Sequence, residues 1–509
     1  MILIDLIKDL AAMDIKGNLD INIKEIGYDS RKLNNNSLFI CISGFEDDGH
    51  RYIEQAIKRG ANAVVIEKEL KNYNEDITYI RVKNSRMAMS KIAATFYNYP
   101  LNELSLIGVT GTNGKTTTTY LIKSILEKAG SRVGLIGTIK NVIDDKNLPS
   151  VRTTPESLDL YRIFREMVEN DLDYAVMEVS SHALDLYRVY NMEFAVAVFT
   201  NISQDHLDYH QSITDYLETK SVLFTQLKKN GTAVINIDDP HSDKIIETSV
   251  GRVLTYSIEK DSNFKAQDIL LTPRNVEFDI AGMGKINLCL TGRFNVYNAL
   301  AATGAGYSLG LDYKTIKSGL ESVQGVAGRF ELIDNGQDFA VIVDYAHTPD
   351  GMENVLETAR ELVSGNIIVV FGCGGDRDSS KRPIMGQIGI KYGDYCILTS
   401  DNPRSEDPLT ILRQIQAGID KHSSQTPYNV IPDRKEAIFK AIDKAGQGDM
   451  IIIFGKGHET YQIFKDKTIH FDDREEAKEA LELLERGELH EALKDLRNRG
   501  GSKREYYQG

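Results

Sequence analysis

Gly111-Thr112-Asn113-Gly114-Lys115-Thr116-Thr117 stands between an apolar run, Ser105 to Thr110, and a helical pattern from Thr118 to Lys128. Glycines in such a loop let successive backbone N–H groups close on phosphate oxygens, and the helix N-terminus adds positive potential. Lys115 is placed to reach terminal phosphates and the Thr116 hydroxyl to hold Mg²⁺. The first glycine of G-x-x-x-x-G-K-[ST] is replaced by Val109, which weakens a motor or GTPase reading. A Gly-rich turn without a ligand is the alternative.

Other residues carry possible chemistry. Glu178 ends an apolar strand pattern, where a carboxylate either completes a Mg²⁺ shell or is simply a strand-end charge. His206 and His210 lie four apart with Asp205 and Asp208 between them, a spacing that mimics zinc ligation. There is no H-E-x-x-H and no third ligand, so a single His beside a nucleotide's metal is the better reading. Lys220, in the helical stretch Tyr216 to Gln226, reads by itself as a solvated lysine. The glycines of Gly372-Cys373-Gly374-Gly375 do not make G-x-G-x-x-G, so a dinucleotide site is unsupported. Asp401-Asn402-Pro403-Arg404 is a rigid polar turn in which Arg404 either forks a carboxylate or makes a surface salt bridge.

These residues need a scaffold, and the pattern implies one. Short, continuously apolar runs alternate with helical patterns, which is the mark of parallel sheets covered on both faces. Lys115, Glu178, His206, His347, Asp376, Arg404 and His458 all sit at or just past the end of such a run, where open α/β sheets bind ligands. That placement predicts sites facing a shared crevice. At roughly 150 residues per domain, the 509-residue chain implies about three domains. The expected division is an α/β domain over 1–98, a central parallel α/β domain over 99–328, a smaller α/β domain over 329–488 and a tail over 489–509.

The net charge of −14 disfavours tracking a nucleic-acid backbone or an anionic membrane. No apolar run approaches the roughly 20 residues of a bilayer span. The start MILIDLIKDLAAMD has neither a basic region nor a cleavage site, so no export signal is expected. Cys41, Cys289, Cys373 and Cys396 show no C-x-x-C pairing, which fits reduced thiols in a cytoplasm.

Together, GVTGTNGKTTTTY, MEVSSHALDLYRV, FTNISQDHLDYH, LTGRFNVYNALAA, GRFE, DYAHTPDGM, FGCGGDRD, DNPRSEDP and GKGHE resemble the Mur ligases over about residues 20 to 475. These are the ATP-dependent amide-forming enzymes of peptidoglycan precursor synthesis. The resemblance implies a UDP-binding N-terminal domain, a central P-loop-type ATP-binding sheet and a Rossmann-like C-terminal domain. It also implies an acyl phosphate made from a substrate carboxylate and the ATP γ-phosphate, then attacked by an amine. Gly111 to Thr117, Asn298, Arg329, Asp344 and His347 match nucleotide positions. Thr116, Glu178 and His206 match metal positions, and Lys220 matches the lysine carbamylated in this family to hold a second Mg²⁺. Lys115, Lys220 and His206 are therefore the expected catalytic residues.

Ser30, Arg31, Thr153, Thr154, Ser180 and Arg188 match contacts to the UDP-sugar dipeptide, UDP-MurNAc-L-Ala-D-Glu. The family often shows Asn where this chain has Arg152. Within the family, Asp401-Asn402-Pro403-Arg404 looks like the motif of diaminopimelate-adding members, with Arg377, Gly455 and Glu459 as further contacts to that amino acid. Arg404 would be left unpaired by lysine, which lacks the distal carboxylate. Lysine addition and a folylpolyglutamate synthetase-like ligase are the alternatives. A cytoplasmic monomer acting on small molecules is expected.

Overall fold

The continuously apolar runs fold as parallel strands, because a strand covered on both faces has no polar side to show. The computed structural model describes residues 1–502 except 45–46, 204–208 and 421–425. It divides into two compact units, Met1–Lys265 with Tyr297–Gly319, and Ala266–Val296 with the residues from Leu320 onward.

The first unit holds two sheets. One has the order Ala12–Lys16, Thr78–Val82, Ala61–Ile66, Ser37–Ile40, Glu25–Gly27, and only its first strand is antiparallel to its neighbour. In the other, Ser105–Thr110 lies between Tyr174–Glu178 and Phe194–Phe199, parallel to both, with Glu178 opposite Val109. Val133–Ile136 continues that sheet on one side, and Leu227–Asn236 and Arg252–Ser257 on the other. Both neighbours follow the Ser105–Thr110 strand in the chain and flank it on either side, so the connections part at its carboxyl end, where open α/β sheets bind ligands. One apolar core joins the two sheets, running from Leu38 and Ile80 through Ile92 and Phe164 to Ala175 and Phe199.

The second unit holds antiparallel strands Val276–Ile280 and Gly284–Leu288 and a six-stranded sheet. The order of that sheet is Glu331–Leu332, Ala340–Asp344, Met450–Phe454, Ile367–Phe371, Tyr395–Leu398, Tyr428–Val430, with only the first strand antiparallel. Apolar cores cover both its faces, one around Met352, Phe371 and Ile415, the other around Ile438, Ile451 and Leu481.

Three features differ from the sequence reading. The helix after the phosphate loop starts at Lys115 rather than Thr118, because Gly114 at φ 84° turns the chain directly into it. Ala266–Val296, expected inside the central domain, groups with the second unit. Residues 489–502, expected as part of a tail over 489–509, are not simply a tail. Leu489–Ser502 is a helix whose Leu489 and Leu493, four apart on one face, are buried in the core with Ile438. Among the described residues no helix is long and apolar enough to cross a membrane.

Candidate active site

In the first unit the phosphate loop is held from beneath by the loop that follows Phe194–Phe199. Thr200 Oγ1 donates to the Asn113 carbonyl (2.7 Å), Asn201 Oδ1 accepts from the Asn113 N–H (3.0 Å), and the Thr112 N–H donates to the Asn201 carbonyl (2.8 Å). A Cβ on Gly114 would lie 2.3 Å from Asn298 Oδ1, so Asn298 packs where only glycine leaves room. Asn298 Oδ1 also accepts from Thr118 Oγ1 (3.2 Å).

Two ammonium groups converge on one carbonyl of this loop. Lys115 Nζ donates to the Gly111 carbonyl (2.9 Å) and to that of Thr112 (2.7 Å), and Lys220 Nζ donates to the Gly111 carbonyl (2.8 Å). Lys220 is 1% exposed and lies over the Tyr216 ring, 4.4 Å from its centroid. It is a buried member of the loop's surroundings, not the solvated lysine that its helix alone suggested. Two lysines beside a loop rich in N–H groups are the surroundings a bound anion needs.

Glu178, also 1% exposed, accepts from the Thr138 N–H (2.8 Å) and Thr138 Oγ1 (3.0 Å). Thr138 Oγ1 meets Thr153 Oγ1 (3.0 Å), Thr154 Oγ1 donates to the Glu178 carbonyl (2.9 Å), and the Ser180 N–H donates to Thr154 Oγ1 (3.1 Å). Arg188 donates to the Thr154 carbonyl (3.1 Å) and pairs with the buried Glu156 (3.1 Å). Thr153, Thr154, Ser180 and Arg188 are thus brought together beside Glu178. Ser30 and Arg31 are not joined to that group by a hydrogen bond: Ser30 donates to Gln55 (2.8 Å), and the exposed Arg31 pairs with Asp29 (2.9 Å). His206 lies outside the described residues.

In the second unit, Asp344 ends the strand Ala340–Asp344 and accepts from the N–H groups of Phe330 and Ala346, both at 2.7 Å. Burial raises its pKa, opposed by the nearby Arg329 charge. Arg329 lies 4.7 Å from the centroid of Tyr345, whose ring also packs 4.8 Å from those of His347 and His458.

The turn Asp401 to Arg404 follows the strand Tyr395–Leu398. Asn402 Oδ1 accepts from Lys456 Nζ (3.1 Å) and the Ile463 N–H (3.0 Å), while its Nδ2 donates to Glu459 Oε2 (2.8 Å). Lys456, its side chain fully buried, also lies 3.7 Å from Asp401 and 3.6 Å from Glu459. Burial, reinforced by the Asp401 charge, pushes the Glu459 pKa up; burial pushes that of Lys456 down. Gly455 has φ 112°, and a Cβ there would lie 3.3 Å from Asp401 Oδ2. Arg404, itself at φ 52°, donates from NH1 to the Gly375 carbonyl (2.8 Å). Among the described residues no hydrogen bond uses its Nε or NH2, so one edge of the guanidinium is anchored and the other is open to a planar anion. Arg377 is exposed and donates to the Asp376 carbonyl (3.0 Å).

Residues 22–97, 109–306 and 328–457 match, in turn, the "Mur ligase family, catalytic domain", the "Mur ligase middle domain" and the "Mur ligase, glutamate ligase domain". The UDP-N-acetylmuramoyl-L-alanyl-D-glutamate--2,6-diaminopimelate ligase of Clostridium tetani is 49% identical over 487 residues, 94% of this chain and 99% of that protein. The chain belongs to the Mur ligase family. The ligase of the same name from Caldanaerobacter subterraneus is 50% identical over 484 residues, again 94% of this chain and 99% of that protein. A solved structure of a ligase so named superposes with a TM-score of 0.68 at 31% identity, covering 95% of this chain and 99% of that one. This Mur ligase has the family's three-domain α/β fold.

Several residues packed around the candidate site escaped sequence reasoning, Glu156, Arg86 and Thr138 among them. Arg86, Arg152 and Arg188 all pair with the buried Glu156 (2.7, 2.6 and 3.1 Å), a convergence of segments about a hundred residues apart along the chain. Thr200 and Asn201 lie within FTNISQDH, and Lys456 within GKGHE, so both motifs offered a signal that was read only for their charged or glycine neighbours. Thr138 has no local motif at all.

Proposed function

We propose that this Mur ligase joins an amine of meso-2,6-diaminopimelate to UDP-N-acetylmuramoyl-L-alanyl-D-glutamate with cleavage of ATP to ADP and phosphate. The observation that carries this reading is identity of 49% and 50%, across 94% of the chain, to two ligases bearing that name. The chemistry has two steps. A carboxylate oxygen attacks the γ-phosphorus of ATP and ADP leaves, which gives the acyl carbon a leaving group. The amine nitrogen then attacks that carbon, phosphate departs and the nitrogen loses a proton.

Catalysis of this kind is mostly positioning and charge neutralisation. The loop from Gly111 to Thr117 binds the ATP phosphates through its N–H groups, and Lys115 turns from the Gly111 and Thr112 carbonyls to the terminal phosphate. Asn298, Arg329, Asp344 and His347 complete the nucleotide contacts. Thr153, Thr154, Ser180 and Arg188 hold the peptide end of the UDP-substrate, and Ser30 and Arg31 its uridine end.

Mg²⁺ takes few protein oxygens and completes its shell from phosphates and water. The buried Thr116 and Glu178 suit that demand, although among the described residues no group of three His, Cys, Asp or Glu side chains forms a metal cluster. When bound, Mg²⁺ neutralises phosphate charge. His206 and a carbamate on Lys220 are the remaining proposed donors.

Arg404, with one edge open, forks the distal carboxylate of diaminopimelate. Asp401, Asn402, Pro403, Gly455, Glu459 and Arg377 shape the rest of that pocket, and Glu459 holds the distal ammonium. The enzyme acts as a cytoplasmic monomer on these small molecules. Phosphate release by the purified protein with ATP, Mg²⁺ and the UDP-dipeptide tests the reading, run with meso-diaminopimelate, with L-lysine and with neither. Release with diaminopimelate alone is expected. Release with lysine instead would overturn the choice of amino acid, and release indifferent to acceptor would overturn the ligase.

A further inference from the structure

The helices Arg434–Lys444 and Asp473–Glu485 begin with oppositely charged residues whose side chains are both 0% exposed. Arg434 Nε donates to Asp473 Oδ1 and its NH2 to Asp473 Oδ2, each at 2.7 Å, a two-point fork. Asp473 stands at a helix N-terminus, where a negative charge is favoured; Arg434 stands at another, where a positive charge is not. A fully buried guanidinium is also costly to desolvate, so the pair is poorly explained as a source of stability alone.

The remaining donors show what else it holds. NH2 also donates to the Phe454 carbonyl (2.7 Å) and NH1 to the Ser400 carbonyl (3.3 Å). Phe454 ends the strand Met450–Phe454 and is followed by Gly455 and Lys456; Ser400 is followed by Asp401 and Asn402. One side chain therefore ties together the two main-chain segments from which the amino-acid pocket rises. Lys456 continues the same pattern one layer further out, bonding the side chain of Asn402 and the Tyr461 carbonyl (2.5 Å).

We infer that the buried Arg434–Asp473 pair is a positioning element for the amino-acid site, setting the spacing between the Asp401-Asn402 and Gly455-Lys456 segments. The inference rests on the functional reading above. It gives the acidic segment after Asp472 a task, since the first residue of its helix supplies the carboxylate that fixes Arg434. Lysine at 434 keeps the charge but lacks the planar fork, and cannot reach Asp473 and both carbonyls in one geometry.

The test measures steady-state phosphate release in the full-length enzyme, varying each substrate in turn, for wild type, Arg434→Lys and the double variant Arg434→Met/Asp473→Leu. The apolar pair removes both charges together, so no buried charge is left unpaired, and only the Phe454 and Ser400 carbonyls lose a donor; thermal unfolding checks that the fold is kept. We expect KM for diaminopimelate to rise at least tenfold in both variants, with KM for ATP and for the UDP-dipeptide changed less than twofold. Discrimination against L-lysine should fall in parallel. A double variant with wild-type KM for diaminopimelate, or with all three KM values raised alike, would overturn the positioning role and leave the ligase reading intact. A wild-type enzyme inactive with diaminopimelate would overturn that reading and this inference together.

Discussion

The phosphate loop and the proposed amino-acid pocket are built in opposite ways for the same task, holding an ionic ligand. The loop does it with contiguous backbone: seven successive residues, a glycine at φ 84° and a helix start supply the donors, and Thr200, Asn201 and Asn298 brace them. The pocket does it with side chains from separate segments, 374–377, 401–404 and 455–463, held by the buried cations Lys456 and Arg434. Backbone donors survive most substitutions, those to proline or at the positive-φ glycines excepted, and do not distinguish one nucleoside triphosphate from another. Side-chain donors can be exchanged, so the proposed pocket is where selectivity between amino acids is expected to reside.

Breaking the loop should have the largest effect. Lys115→Ala removes the cation proposed to reach the terminal phosphate and is expected to lower kcat by about 10³-fold, a magnitude typical of losing a transition-state charge donor. A fall of less than tenfold in single-turnover ADP formation would mean that the backbone cradle suffices. Next comes the pocket's fork. Arg404→Ala should raise KM for diaminopimelate by about 10²-fold and leave KM for ATP unchanged, because only the distal carboxylate loses its partner. Unaltered preference for diaminopimelate over lysine would place selectivity elsewhere.

A smaller effect is expected at Glu459. Burial first, then the neighbouring Asp401 charge, hold this carboxyl above the usual carboxylate range. It should therefore take a proton as pH falls while ordinary carboxylates are still ionised, and lose its hold on the ligand's ammonium. The acid limb of kcat/KM for diaminopimelate should lie above the ordinary carboxylate range. In Glu459→Gln, kcat/KM should fall by about tenfold and that limb should flatten; a limb that persists unchanged would assign the titration to another group.

The smallest effect concerns stability. Burial, followed by the Arg329 and Arg474 charges, pushes His458 down to about 4. Folded protein then holds it neutral while the unfolded chain binds a proton below about pH 6.5. Its stabilising contribution is present above about pH 6.5 and is lost as pH falls toward about 4. His458→Gln should make the acid-side fall in Tm shallower by about 2 °C. Identical Tm profiles would show that the group stays solvated.

What could be read in advance tracks this same contrast. The strand–loop–helix from Ser105 to Lys128 was legible because every part of it is local, and its one error, the helix start, came from not crediting Gly114 with a left-handed turn. Lys220 was illegible from its own helix, since only the folded chain shows that it is buried against the Gly111 carbonyl. The resemblance had flagged the residue without supplying its surroundings. Glu156 was missed because its three arginine partners, Arg86, Arg152 and Arg188, span about a hundred residues.

The apolar runs and the glycine, lysine and threonine spacings were enough to settle an α/β chain with a phosphate loop, because hydrophobic burial and backbone conformation act over a few neighbouring residues. Which charges are buried, and on whom they are satisfied, was decided by long-range packing alone. Arg434 and Asp473 lie thirty-nine residues apart and look like surface charges at two helix starts. Only the closing of the sheet places them in one dry interior, where each must be paired and where a single guanidinium can reach two strand ends at once.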